Sequence, residues 1–196
     1  MKTKVERWES EFPFPTLPDY LQHGLAVVFI GINPGLYSVA KGHYFARSTS
    51  RFWPAFSRSK LSEAMRTNLG VDVLLPERDS QLTRFGFGLT DVVKKPSANM
   101  SGLTPEDFAY WAPQLLNKLL EFKPRVACFH GVTAYRWFLQ AGLRRPKTKL
   151  IPGAQAEILA GTRVFVAPNP SPANAHFTPA EQTASYNDLE RFLGES

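Results

Sequence analysis

The sequence predicts a single α/β domain, a three-layer α/β/α sandwich on a short, mostly parallel sheet. Two runs, Leu25–Ile30 and Val126–His130, are apolar almost throughout and do not alternate, as expected of strands covered on both faces. Segments with helical spacing and helix-cap signals separate such runs. The chain of 196 residues is long enough for one sizeable core.

Each element follows from local signals. Residues 1–23 are rich in proline, glutamate and aromatics and read as an extension packed in part on the domain that occupies residues 24–196. The strand Leu25–Ile30 ends at Gly31-Ile-Asn-Pro-Gly35, which cannot continue it. A polar, glycine-containing loop runs to about Ser50, and a helix is expected from about Arg51 to Asn68. Phe87–Val93 reads as a short strand. Thr104 is the N-cap of the next helix, with Pro105 at its first position and Glu106 and Asp107 in its first turn. Phe108, Trp111, Leu115, Leu119 and Phe122 mark that helix's buried face. Gly131 ends the strand Val126–His130, and a helix from about Thr133 to Gln140 follows. Ala156–Leu159 and Arg163–Val166 are expected as strands around a turn at Gly161. Asn169–Phe177 is a loop, and Thr178-Pro-Ala-Glu181 is a capping box that opens the last helix.

Composition narrows the function. Lys and Arg outnumber Asp and Glu by 23 to 17, and the sequence is acid-free from Tyr20 to Ser62 and from Phe122 to Ala156. Basic stretches of this kind suit a polyanion such as nucleic acid, or are simply solvated surface. The lone Cys128 excludes intramolecular disulfides and sites that need several thiolates. No apolar run approaches the roughly 18 residues of a membrane span, and the N-terminus lacks a signal-peptide core, so an intracellular, cytoplasmic protein is expected. No Walker loop, dinucleotide fingerprint or nucleophile elbow is present, and the four histidines show no metal-ligand spacing, so no metal or cofactor is expected.

In a parallel sheet the ligand crevice lies beyond the carboxyl ends of the strands. The loops expected there are Gly31–Ser50, Asp91–Leu103 and Pro168–Phe177. Backbone amides around Gly35 and Leu36 would lack sheet partners and could cradle an anion, and Tyr44 and Phe45 could stack on a planar ligand. The same Asn-Pro-Gly could equally be a tight turn and nothing more.

The segments GINPGL and KGHYFARSTSRFW resemble the first motif of the mismatch-specific uracil/thymine DNA glycosylases, within the uracil-DNA glycosylase superfamily. Gly88-Leu-Thr-Asp-Val-Val93 is similar to that family's central strand, and Pro168–Phe177 to its second, Pro-Ser motif. The resemblance spans roughly residues 25–193. It implies the α/β/α fold, no cofactor, and a monomeric, monofunctional enzyme. Such an enzyme flips uracil, or thymine, from G·U or G·T mispairs in double-stranded DNA and leaves an abasic site. Asn33 would position the water that attacks the sugar C1′. Ile32, Gly35, Leu36 and Ser38 would line the base pocket, with Phe45 stacked on the uracil. The loop Ser171-Pro172-Ala173-Asn174 would enter the duplex, and Lys41 and Arg51 would touch phosphates.

Three departures bear on mechanism. Asn169 stands where several superfamily members carry histidine, and would line the pocket or cap its loop. Ala173 and Ala175 replace a bulky wedge and an arginine, so insertion could fall to Asn174, His176 or Phe177. Asp91 replaces the usual Asn or Lys, and is either a catalytic carboxylate or a loop aspartate paired with Lys94 or Lys95. Two alternatives therefore stay open: a broad uracil glycosylase that uses Asp91 on U·A pairs and single strands, or a binding module for mismatched bases that does not cleave. His130, Cys128, Trp53, Trp111 and Trp137 read as core, and Arg144, Arg145, Lys147 and Lys149 as a basic loop.

Overall fold

The computed structural model describes residues 14–174 and 176–195. Residues 1–13 of the N-terminal extension, and Ala175, lie outside the described residues. Strands β1 (Val27–Gly31), β2 (Phe87–Asp91) and β3 (Val126–His130) are buried at all five of their positions, which is why β1 and β3 run almost wholly apolar instead of alternating; β2 ends in the buried Thr90 and Asp91. With β4 (Gly153–Leu159) and β5 (Thr162–Ala167) they form one sheet in the order β2-β1-β3-β5-β4. All pairs are parallel except β4 with β5. That last pair turns through Ala160 and Gly161, both at positive φ (48° and 96°), the backbone of a tight hairpin turn.

Helices cover both faces. On one side α2 (Phe52–Arg58), α3 (Glu63–Leu69) and α6 (Pro179–Gly194) enclose a core built on Phe29, Phe52, Phe56 and Tyr186. On the other, α4 (Pro105–Phe122) and α5 (Val132–Trp137) cover Val28, Ile30, Phe129 and Phe138. A short helix α1 (Leu36–Lys41) buries none of its residues and lies over the sheet's end. Among the described residues, no helix is long and apolar enough to cross a membrane.

The helix expected over Arg51–Asn68 is two helices joined by a 3-10 turn, Lys60–Ser62. Ser59 Oγ donates to the Phe56 carbonyl (2.7 Å), and so does Ser62 Oγ. These hydroxyls take over the carbonyl that would have continued the helix. The helix expected to Gln140 passes at Phe138 into a π turn that ends at Gly142. Both expected caps form as full capping boxes, Thr104 with Asp107 and Thr178 with Glu181. Trp53 and Trp111 are buried and Trp137 is half-buried.

The described part of the extension packs closely. Leu17 is buried, and Tyr20 pairs antiparallel with Leu89 through two backbone hydrogen bonds (2.9 and 3.1 Å), covering the β2 edge. From β1 the chain crosses to β2 on one side and later to β3 on the other. The topological switch point therefore lies between β1 and β3, at the ends of Gly31 and His130.

Candidate active site

Beyond β1 the chain turns at Ile32–Gly35, and the segment after β2 runs alongside it. Val92 and Val93 donate to the carbonyls of Gly31 and Ile32 (2.9 Å each), and Ser97 donates to that of Pro34 (3.1 Å). Leu36 N–H donates to the Ser97 carbonyl (3.3 Å). This corrects the expectation that the Leu36 amide lacks a partner: the strand extension supplies one. Within the turn, Asn33 Nδ2 lies within hydrogen-bond distance of Ser97 Oγ (2.8 Å), the Lys95 carbonyl (3.1 Å) and the Pro34 carbonyl (3.2 Å). These three acceptors fix which end of the amide is nitrogen and leave its oxygen as an acceptor for water.

Asp91 pairs in register with Gly31 across the strands, and its side chain lies over that glycine. A Cβ on Gly31 would stand 2.4 Å from Asp91 Oδ1. The carboxylate is buried, and Oδ2 has no hydrogen-bond partner among the described residues. Its nearest cation is Lys94 Nζ at 3.7 Å, whereas Lys95 pairs with Asp107 (2.9 Å). Burial pushes the Asp91 carboxyl up to about 6, with Lys94 and the Tyr44 hydroxyl opposing the rise.

The aromatic wall is built with equal care. Asp79 is a buried carboxylate whose Oδ2 accepts from the Tyr44 amide (2.9 Å), and Trp53 Nε1 donates to the Tyr44 carbonyl (2.9 Å). Held on both sides, the peptide delivers Phe45 at φ 55°, a left-handed conformation uncommon for an aromatic residue. Phe45 is half-buried and stacks on Phe52 with ring centroids 4.3 Å apart. His130 meets it edge-on at 5.4 Å. His130 is buried and sits under the aromatic wall, at the rim of the core. Its Nε2 faces the Tyr186 hydroxyl (2.9 Å), Nδ1 has no partner among the described residues, and burial pushes its pKa down to about 3, which keeps it neutral.

The second loop is braced from within and from outside. Asn169 is exposed, its Oδ1 accepts from Ser171 N–H (2.9 Å), and its carbonyl accepts from Asn174 Nδ2 (2.9 Å). Gln182 Nε2 donates to the Pro168 carbonyl (2.9 Å). Gln182 occupies the fourth position of α6, so Phe177 finds no apolar staple partner there and is half-buried. Pro172 and Ala173 are exposed at the loop's tip, Ser171 and Asn174 half-buried. Arg51 reaches across: its amide donates to the Pro170 carbonyl (2.9 Å), and Nη1 donates to the carbonyls of Asn174 (3.0 Å) and Phe177.

Near the first loop, Ser38 Oγ accepts from the Ala46 amide (3.3 Å), and Ile32 and Gly35 are half-buried. Lys41 and Arg47 are exposed and flank the ring of Tyr37 (5.8 and 5.3 Å). Among the described residues, no three His, Cys, Asp or Glu side chains converge as a metal site.

Residues 18–190 match the Uracil DNA glycosylase superfamily. The chain belongs to that superfamily. It is 31% identical over 153 residues to a G/U mismatch-specific uracil DNA glycosylase of Schizosaccharomyces pombe, a match covering 76% of this chain and 45% of that protein. The chain thus spans about half the length of this relative. A solution NMR structure of a candidate uracil DNA glycosylase from Methanosarcina acetivorans shares the fold, with a TM-score of 0.55 and 22% identity, over 89% of this chain and 97% of that one. In this superfamily member, Asn33 follows β1, Asp91 ends β2 and Asn169 follows β5, while Phe45, in the loop before α2, packs against His130 at the end of β3. Reading the sequence missed Asp79 as the anchor of the aromatic wall and Arg51 as a brace. Arg51 lies 123 residues from Asn174, and no local signal links the two.

Proposed function

We propose that this chain is a monofunctional DNA glycosylase that flips uracil out of a G·U mispair in duplex DNA and hydrolyses its N-glycosidic bond. The observation that carries this reading is the Asn33 amide, locked at the end of β1, with the Asp91 carboxylate, whose Oδ2 makes no hydrogen bond among the described residues, lying over the neighbouring Gly31.

Each part has a task in that reaction. A base in a duplex must leave the stack, and a mispaired uracil leaves it most cheaply. The flipped pyrimidine stacks on the free side of Phe45, whose other side rests on Phe52. As the bond from C1′ to uracil N1 breaks, its electron pair departs with the base and positive charge grows on the sugar. The Asn33 oxygen accepts a hydrogen bond from water and so aims a water lone pair at C1′. Asp91 stabilises the sugar cation and accepts the proton that water loses on forming the new C–O bond. The base takes its proton from solvent, and an abasic sugar remains. A lyase step needs a free amine, and Lys94, the buried lysine beside Asp91, is engaged by Asp19, Tyr44 and Asp91.

The unpaired Oδ2 of Asp91 also supports a second reading. A carboxylate base adds rate that an asparagine alone lacks, and added rate extends activity to U·A pairs and single strands. Single-turnover cleavage of U·G, U·A, T·G and single-stranded U, in EDTA, separates the readings. Fast U·G cleavage that collapses in Asn33→Ala supports the mismatch enzyme. Comparable rates on U·A and single strands, lost in Asp91→Ala, support the broad one. Tight binding with no cleavage of any substrate refutes both and leaves a binding module.

A further inference from the structure

A second carboxylate lies behind Asp91. Asp19 belongs to the segment before β1, and its side chain is 8% exposed. Its Oδ1 accepts from Thr90 Oγ1 (2.7 Å) and from Lys94 Nζ (2.8 Å), and its Oδ2 from Lys118 Nζ of α4 (2.6 Å). Lys94, 2% exposed, also donates to the Tyr44 hydroxyl (3.0 Å), and stands 3.7 Å from Asp91 Oδ2, beyond hydrogen-bond reach. Two carboxylates and two ammonium groups balance in number but not in distribution. Asp19 holds both cations, and Asp91 is left with the more distant side of one.

We infer that Asp19 is a positioning residue for the reaction: it holds the Lys94 ammonium away from Asp91 and so keeps the Asp91 carboxylate free to take a proton. This rests on the catalytic reading of Asp91 given above. A carboxylate clasped by an ammonium has its lone pairs occupied and is a weak base. One that is buried beside a cation it cannot hydrogen-bond stays available and more basic. The contrast between the two acids agrees. Despite burial, Lys94 and Lys118 bring the Asp19 carboxyl down to about 2, whereas Asp91, sharing the same Lys94, sits near 6. The titratable groups facing Asp91 are Lys94 from the strand extension, Asp19 from the N-terminal segment and the Tyr44 phenol from the loop before α2. Burial keeps that phenol protonated. The N-terminal segment, whose described residues contribute no strand, thereby reaches the chemistry through one lysine.

The test is the pH dependence of single-turnover uracil excision from a U·G duplex, between about pH 4.5 and pH 8. The wild-type rate rises along an acid limb as Asp91 ionises, and Asp91→Asn lacks that limb. Asp19→Asn removes a neighbouring negative charge and releases Lys94 towards Asp91, so the limb moves to lower pH by about one unit. Lys118→Met leaves Asp19 with Lys94 alone and removes a positive charge, so the limb moves to higher pH. Opposite shifts in the two variants support the inference, and a general loss of packing would not produce them. If Asp19→Asn does not fold, the upward shift in Lys118→Met, at a partly exposed position, carries the test. A limb unmoved in the folded variants but absent in Asp91→Asn overturns the charge sharing and spares the role of Asp91. A limb that persists in Asp91→Asn overturns that role, and this inference with it.

Discussion

Removing the Arg51 guanidinium separates a brace from a phosphate contact. Nη1 donates to the carbonyls of Asn174 and Phe177, after the second loop's tip, while the Arg51 backbone holds Pro170 before it. Arg51→Ala keeps the backbone bond and loses the two side-chain bonds. A hydrogen bond from a charged donor contributes about 1.5–3 kcal/mol. Arg51 is half-buried, so water replaces part of each, and about 2–3 kcal/mol for the pair is the reasonable scale. Because the bonds act on one loop, that energy appears as a smaller population of the loop in its braced position. At about 1.4 kcal/mol per factor of ten, the ratio of braced to unbraced loop falls roughly 30- to 140-fold, and single-turnover excision falls by up to that factor. Melting temperature should change little, because the sheet and both cores are untouched. The assay is single-turnover cleavage of a U·G duplex at several salt concentrations, with Arg51→Lys beside Arg51→Ala. A brace lowers the rate at all salt concentrations and leaves the slope of log affinity against log salt unchanged. A slope reduced by about one, with the rate at saturation intact, would show that the side chain contacts a phosphate and would refute the reasoning.

Other perturbations have equally definite outcomes. The folded state keeps a proton on Asp91 up to about pH 6 that the unfolded chain releases near 3.8. Stability is therefore lost as pH rises between these values, by about 3 kcal/mol, and urea titration should find Asp91→Asn more stable than wild type at pH 8 and equal to it near pH 3.5. Gly31→Ala places a methyl 2.4 Å from Asp91 Oδ1 and should slow uracil excision at least about tenfold while leaving duplex affinity unchanged. Asp79→Asn weakens the hold on the Tyr44 amide and on Phe45 beyond it, and should raise KM for uracil-containing duplex more than it lowers kcat. Asn33→Ala should abolish most cleavage and retain binding, read by parallel single-turnover and equilibrium measurements.

Much of this fold was legible because its signals are local. An apolar run that stops at Gly31-Ile-Asn-Pro-Gly35 reads as a buried strand and a turn whatever lies elsewhere, and the structure ends β1 at Gly31. Thr104 and Thr178 announce their helices because a capping box lies within four residues. What escaped depends on competition or on distance. The break at Ser59 arises because two hydroxyls turn to the Phe56 carbonyl, and serine in a helical stretch does not declare which way its side chain will bond. β4 starts at Gly153, earlier than its sequence suggests, because its more buried face carries Gly153, Gln155 and Glu157 while Ala154, Ala156 and Ile158 face outward, the reverse of the usual pattern. The site divides in the same way. Asn33 and Phe45 belong to one continuous loop and could be named from it, whereas the groups that hold them come from afar. Asp79 lies 35 residues from Tyr44, and Asp19 lies 75 from Lys94.

That division has a physical reason. Under the proposed function, the residues that meet DNA sit on loops beyond the strand ends, and loops of this length have little packing of their own. Their positions are over-determined here by polar side chains from other elements: Asp79 and Trp53 on the Tyr44 peptide, Ser97 on Asn33, and Arg51 and Gln182 on the second loop. Asp91 is left under-satisfied, a buried carboxylate with one oxygen that makes no hydrogen bond among the described residues. A buried carboxylate with an oxygen that makes no hydrogen bond destabilises the fold, while the groups above hold the loops around it. The stability lost at Asp91 and the basicity available to the reaction are one quantity measured in two ways. A variant that recovers the first by pairing the carboxylate must therefore lose the second.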